Sequence, residues 1–215
     1  MKFISDEDYK GLREWTMKYI DQRCIHRVLP GQPKLPGKTP GSTYTWMFQL
    51  RRGLFDHKFS SAISQMFIYK MEKEIGHFDF QLAGLETAST PLLTSIPIIG
   101  RVFGVNLNAF SIRKEQKTYG LMNWIEGVPN MKPVMLIDDL CNSSASLRKA
   151  YDIVNSSHVN EEPLKVFDNA FTIVNKSNQQ VHSEQRQNSD LYLPKEIKVI
   201  SLFNLDDFNL SNPSH

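Results

Sequence analysis

Val134-Met135-Leu136-Ile137-Asp138-Asp139-Leu140-Cys141-Asn142-Ser143-Ser144-Ala145-Ser146-Leu147 decides the fold of this 215-residue chain. Its first four residues are apolar without alternation, as in a strand covered on both faces. Two adjacent carboxylates then stand at the strand's exit. Side by side they repel each other, and out of water they need cationic or hydroxyl partners. Five small residues, Asn142 to Ser146, follow and lead into a helix expected from about Ser144 to Ser156. Backbone amides at such a helix start, backed by the helix dipole, make an anion site. The combination describes acids that hold sugar hydroxyls while a phosphate sits on the helix mouth. The plainer alternative is a pair of solvated acids followed by serines that cap a helix.

Working outward, strand-like runs recur at Phe78 to Leu82, Val105 to Ile112, Asp168 to Val174 and Ile197 to Phe203. Between them, Phe59, Ile63, Met66, Phe67, Lys70 and Met71 mark an amphipathic helix ending near Gly76. Pro91 opens another that runs to about Phe103. This alternation predicts an α/β fold with a parallel sheet covered on both faces. In such a sheet ligands bind outside the carboxyl ends of the strands. That rule selects the turn after Leu82, the stretch after Ile112 and the turn after Ile137.

The N-terminal part reads differently. Ser5 opens a helix with acids in its first turn and Leu12, Trp15 and Tyr19 on one face. From Leu29 to Tyr44, Pro30, Gly31, Pro33, Pro36, Gly37, Pro40 and Gly41 predict an extended loop. Residues 1–45 are therefore expected to form a helix and Pro/Gly-rich flap on a core domain at 46–215. An aromatic, strand-like run from Tyr44 to Leu50 leads into that core.

Composition excludes several classes. The chain is 40% hydrophobic and 22% charged, as in ordinary globular proteins. Its net charge of +2 is too small for nucleic-acid binding through bulk electrostatics. Cys24 and Cys141 cannot build a disulfide framework. Cys141 follows the acids directly, yet a small apolar residue at a strand-to-loop junction explains it better than a nucleophile does. The six histidines have no metal-ligand spacing, so no protein-held metal is assigned. The first eight residues lack the apolar core of a signal peptide, and no uncharged apolar run reaches membrane-spanning length. A cytoplasmic protein is expected.

Two further stretches carry chemistry. Arg113-Lys114-Glu115-Gln116-Lys117-Thr118-Tyr119-Gly120 places three cations within five residues at a strand exit and ends in glycine, as a mobile lid does. Phe78-Asp79-Phe80-Gln81-Leu82-Ala83-Gly84-Leu85-Glu86-Thr87-Ala88-Ser89-Thr90-Pro91-Leu92 is a strand, a glycine and a polar turn opening a helix.

Together these stretches resemble the type I phosphoribosyltransferase family, from roughly Trp46 to Phe208. The Val134–Leu147 segment is similar to that family's motif for phosphoribosyl pyrophosphate (PRPP), in which the acids bind ribose hydroxyls and the loop binds the 5′-phosphate. The resemblance gives the ribose role to Asp138 and Asp139. It gives the phosphate cradle to Asn142, Ser143, Ser144, Ala145 and Ser146. The family has threonine where Asn142 stands, and glycine where Ser144 and Ala145 stand. The basic stretch resembles the flexible loop of orotate phosphoribosyltransferases at Arg113, Lys114, Glu115, Lys117 and Gly120, with Tyr119 in place of histidine. The turn Glu86-Thr87-Ala88-Ser89 is similar to the family's pyrophosphate turn, with Ala88-Ser89 where relatives carry Lys-Gly or Gly-Gly.

The resemblance implies transfer of a phosphoribosyl group to a nitrogenous base, orotate-like or other, with magnesium accompanying PRPP. Asp138, Asp139, Arg113, Lys114 and Lys117 are the implied catalytic set. It also implies a homodimer whose lid closes over the neighbouring subunit's site. For the base, the expected neighbours are Lys176, standing where orotate enzymes place an arginine, and the aromatics Trp46 and Phe48. The second reading is a PRPP- or nucleotide-binding protein without efficient turnover, serving as a sensor, a regulator or a component of a larger assembly such as a phage-defence system.

Overall fold

A computed structural model describes residues 4–37, 41–116, 124–176 and 193–210. Helix α1 (Asp6–Tyr19) opens at Ser5, whose hydroxyl accepts from the Asp8 N–H. Asp6, Glu7 and Asp8 then lie at the positive end of the helix dipole. A π-helical turn (Ile20–Cys24) carries the chain into β1 (Ile25–Arg27). The proline- and glycine-rich stretch is not wholly irregular. Leu35–Pro36 (β2) pairs antiparallel with Thr43–Tyr44 (β3), and Pro36 is tolerated because such a two-residue ribbon is all edge.

β4 (Trp46–Phe48) pairs with β1, so the N-terminal hood is laced to the chain on both sides of residue 45. A short helix α2 (Arg51–Leu54) and a long α3 (His57–Glu74) follow. The Asp56 carboxylate caps α3 by accepting from the Lys58 and Phe59 N–H groups. Gly76 ends it with φ +81 and an N–H bonded to the Met71 carbonyl, a left-handed stop that glycine adopts freely.

The central sheet takes β5 (Gln81–Leu85), β6 (Ala109–Ile112), β7 (Ile125–Glu126), β8 (Val134–Cys141), β11 (Asn169–Asn175) and β12 (Lys198–Asn204). A two-residue hairpin, β9 (His158–Val159) with β10 (Glu162–Pro163), sits between β8 and β11. The sheet order is β12-β11-β8-β5-β6-β7, parallel except for β7. Helices α3 and α4 (Thr90–Val102) cover one face, and α5 (Ala145–Asn155) covers the other. Alternation along the strands sorts the two cores. Leu82, Met135 and Ile137 face the α3/α4 side, while Ala83, Val134 and Leu136 face α5.

The sheet starts later and runs longer than periodicity suggested. β5 begins at Gln81 and passes through Gly84 to Leu85. β6 begins only at Ala109 because Asn108 is drawn into a polar cluster below the sheet. There the fully buried Gln81 side chain donates to the Asn130 and Lys132 carbonyls and accepts from the Asn108 amide and the Asn130 N–H. β8 does not end at Ile137 but continues through both acids to Cys141, since β11 pairs with it as far as Asn175↔Cys141.

The chain goes from β5 outward to β6, then crosses back to β8 on the other side of β5. Connections leaving β5 and β8 therefore diverge, and the sheet opens between their carboxyl ends. The β5–β8 ladder ends at Ala83↔Leu136, although both strands continue.

Candidate functional site: a cavity at the strand switch point

A cavity of about 550 Å³ lies at that opening. Its floor is the end of β8, with Asp138, Asp139 and Leu140. One wall is Leu85 at the end of β5 and Glu86 and Ala88 in the turn after it, together with Lys114 beyond β6. The start of α5 contributes Ser146. The stretch from β4 to α2 closes another wall with Met47, Phe48, Gln49, Leu50, Arg51 and Arg52.

The two acids are held against their preference. Burial and the neighbouring Asp139 charge push the Asp138 carboxyl up to about 8, partly offset by the Asp139 N–H and by Lys114. Burial also raises Asp139, against the pull of Asp138 and Arg51. Asp138 is only 7% exposed, and its carboxylate accepts from the Asp139 N–H at 2.9 Å. A buried pair of this kind is stabilised by any ligand that donates hydroxyl protons or brings positive charge.

Beyond Cys141 the chain turns sharply. Ser144 occupies the left-handed region, φ 61 and ψ 4, as the residue before α5. This is one of the positions where the resemblance leads to glycine, and the serine takes the turn at a steric cost. Its hydroxyl lies 3.4 Å from the Cys141 sulfur instead of capping the helix. The Ser144 side chain therefore makes no cap hydrogen bond to the first amides of α5. Asn142, Ser143, Ala145 and Ser146 are exposed around them, and of the five cradle residues Ser146 lines the cavity.

In the turn after β5 the Glu86–Thr87 peptide is cis. Glu86 points toward the lid's start, where its carboxylate accepts from the Lys114 N–H at 3.2 Å. Thr87 is exposed. Ser89 is different from the expected pyrophosphate contact. Its side chain is fully buried, and its hydroxyl donates to the Leu85 carbonyl at 2.6 Å, so it closes the turn from within.

Of the lid cations, Lys114 lines the cavity, whereas the Arg113 guanidinium bonds Glu126 at 2.9 Å. Lys117 lies outside the described residues, as do Tyr119 and Gly120. On β4, Phe48 reaches the cavity while its ring is braced edge-on by Trp46 and Phe208. Trp46 and Lys176 are turned to each other, with the ammonium 4.8 Å from the indole centroid, and burial lowers the lysine's pKa. Arg51 and Arg52 were not expected at the site. Their only mark in the sequence is a cation pair next to Gly53, which has no phosphate-loop pattern.

Comparison with known proteins fits this geometry. The curated orotate phosphoribosyltransferase of Bradyrhizobium diazoefficiens is 26% identical over 122 residues, 54% of this chain and 64% of that protein. That of Thermosynechococcus vestitus is 29% identical over 90 residues, 40% of this chain and 48% of that protein. The chain thus matches between about half and two thirds of these relatives' length. Among solved structures, orotate phosphoribosyltransferase from Mycobacterium tuberculosis superposes with a TM-score of 0.68 at 18% identity, covering 91% of this chain and 98% of that one. The chain has the type I phosphoribosyltransferase fold. Adenine phosphoribosyltransferase from Trypanosoma brucei, solved with AMP, pyrophosphate and ribose-5-phosphate, shares this phosphoribosyltransferase fold more distantly. Its TM-score is 0.57 at 12% identity, over 99% of this chain and 88% of that one. No family model matches the sequence.

Proposed function

We propose that the chain binds PRPP in the switch-point cavity and transfers its phosphoribosyl group to a nitrogenous base, releasing pyrophosphate. The observation that carries this reading is the meeting of Asp138, Asp139, the opening of α5, Glu86 and Lys114 around one cavity. Acids, helix mouth and cation each match one part of PRPP. Asp138 and Asp139 accept hydrogen bonds from the ribose hydroxyls. The amides that open α5 receive the 5′-phosphate. Lys114 faces the pyrophosphate, and the partner subunit's Arg113 and Lys117 join it when that subunit's lid closes. Departure of pyrophosphate leaves positive charge on the ribose ring, and the carboxylates beneath offset it. Positioning and charge stabilisation suffice, with no protein nucleophile.

Magnesium suits this donor set. Two carboxylates pressed together in a buried strand end attract a hard cation. No cluster of three or more His, Cys, Asp or Glu able to hold a metal occurs among the described residues. Asp138 and Asp139 would hold the ion through the hydroxyls and water, and when bound it neutralises charge on the leaving pyrophosphate.

We place the base against Phe48, with Trp46 packed edge-on to that ring and Lys176 over Trp46 outside the cavity lining. We assign a cytoplasmic homodimer, with the lid of each subunit reaching the other's site. No helix among the described residues is long and apolar enough to cross a membrane. Exposed Phe55, just after α2, and Ile98 and Val102 on α4 supply apolar surface for the second copy. The decisive assay is pyrophosphate release from PRPP and magnesium across a panel of bases. Release with at least one base is expected. Binding of PRPP with no release under any base would reduce the activity to binding alone.

A further inference from the structure

Lys114 is held by its backbone from two sides. Its N–H donates to Glu86 in the turn after β5, and its carbonyl accepts from the Lys149 ammonium on α5. The same ammonium lies over the Trp124 ring, 5.9 Å from its centroid. The Trp124 carbonyl in turn accepts from the Arg113 N–H at 2.8 Å. One lysine on α5 therefore touches the chain where it leaves β6 and where it returns to β7.

The use of this lysine is unusual for an exposed helix position. Its neighbour Arg148 pairs with Asp152 one turn along α5, an ordinary surface contact. Lys149 makes no ion pair among the described residues, and its charge goes to a carbonyl and an aromatic face instead. Those contacts add little to the helix itself. What they fix is the backbone at position 114, whose side chain enters the cavity.

We propose that Lys149 is a positioning residue for Lys114. It ties α5, whose first turn forms the phosphate end of the cavity, to the cation at the pyrophosphate end. Without this tie the Lys114 backbone loses one of its two hydrogen bonds among the described residues, and its side chain is no longer directed at the ligand. The inference rests on the PRPP reading, because it takes Lys114 as a pyrophosphate contact.

A double-mutant cycle tests it, with inorganic pyrophosphate and magnesium as the probe and calorimetry as the readout. Lys149→Ala should weaken pyrophosphate binding by about tenfold, the scale of one hydrogen bond to a charged donor. In a Lys114→Ala background the same change should cost almost nothing, because the group it serves is gone. Lys149→Arg, which retains donors and charge, should restore most of the affinity. Equal losses from Lys149→Ala in both backgrounds would overturn the proposal. A second readout needs no ligand. In a Trp15→Phe/Trp46→Phe protein only Trp124 emits, and Lys149→Ala should change that emission. Unchanged emission would remove the contact on which the inference stands. A wild-type protein blind to both pyrophosphate and PRPP would defeat the functional reading, and Trp124 emission would then decide the tie by itself.

Discussion

In the ligand-free protein, burial and the Asp139 charge hold the proton on Asp138 to higher pH than in an unfolded chain. Its carboxyl is raised from 3.8 to about 8 by burial and by Asp139, so between those values the native state binds more protons than the unfolded one. Stability from this group is therefore fullest at low pH and declines as pH rises toward about 8. Asp138→Asn should flatten that slope and leave the ligand-free protein more stable than wild type at pH 8, as thermal melting across pH will read. A difference between the two proteins that did not grow with pH would contradict the assignment. Ser144 is the second strained residue. Relief of its left-handed backbone by Ser144→Gly should stabilise the fold by about 1 kcal/mol, measured by urea unfolding. The acids were legible because charge directly after a buried apolar run has few structural uses. Arg51 and Arg52 were not, since cations on a short surface helix look solvated until the hood brings them over the cavity. Ser89 misled for the opposite reason: a hydroxyl in a polar turn gives no sign in sequence of facing inward.

At the scale of elements, the opening between β5 and β8 makes the site. Gly84 sits where the ladder between them stops, and an added Cβ would come within 2.4 Å of the Ile137 carbonyl and 2.6 Å of the Ser89 Cβ. Neither neighbour is a flexible side-chain tip. Gly84→Ala should therefore cost roughly 2 kcal/mol of stability and disturb the acids one residue along, with urea midpoints reading the first effect. A neutral substitution would mean that the two strands can part without cost. The parallel sheet, α3, α4 and α5 were readable from apolar runs and helical spacing. Their ends were less so, because pairing extends strands past the apolar run. β8 stays in its ladder through two aspartates only because β11 lies alongside. β4 lies within the strand-like run from Tyr44 to Leu50, but its partner β1 and the ribbon β2–β3 were illegible for a related reason. Two or three residues carry no periodicity, and their pairing comes from the hood closing on itself.

Across the whole molecule, the C-terminal segment binds the hood to the sheet. Arg13 on α1 bonds Asp207 at 2.7 Å and lies over the Phe203 ring, while Arg27 donates to Asp21 and to the Asn209 carbonyl. Phe208 packs on both Phe203 and Phe48. The wall that closes the cavity is thus anchored by the last described residues of the chain. This long-range arrangement walls in the cavity that the acids line, and it left no trace in local sequence. If those acids grip the ribose of PRPP, removing their charge must loosen it. Calorimetric titration of PRPP with magnesium into wild type and into Asp138→Asn/Asp139→Asn reads that loss. The double variant should fold and lose at least about a hundredfold in affinity, as expected when two charge-assisted hydrogen-bond acceptors are removed. Equal affinity in the two proteins would contradict it.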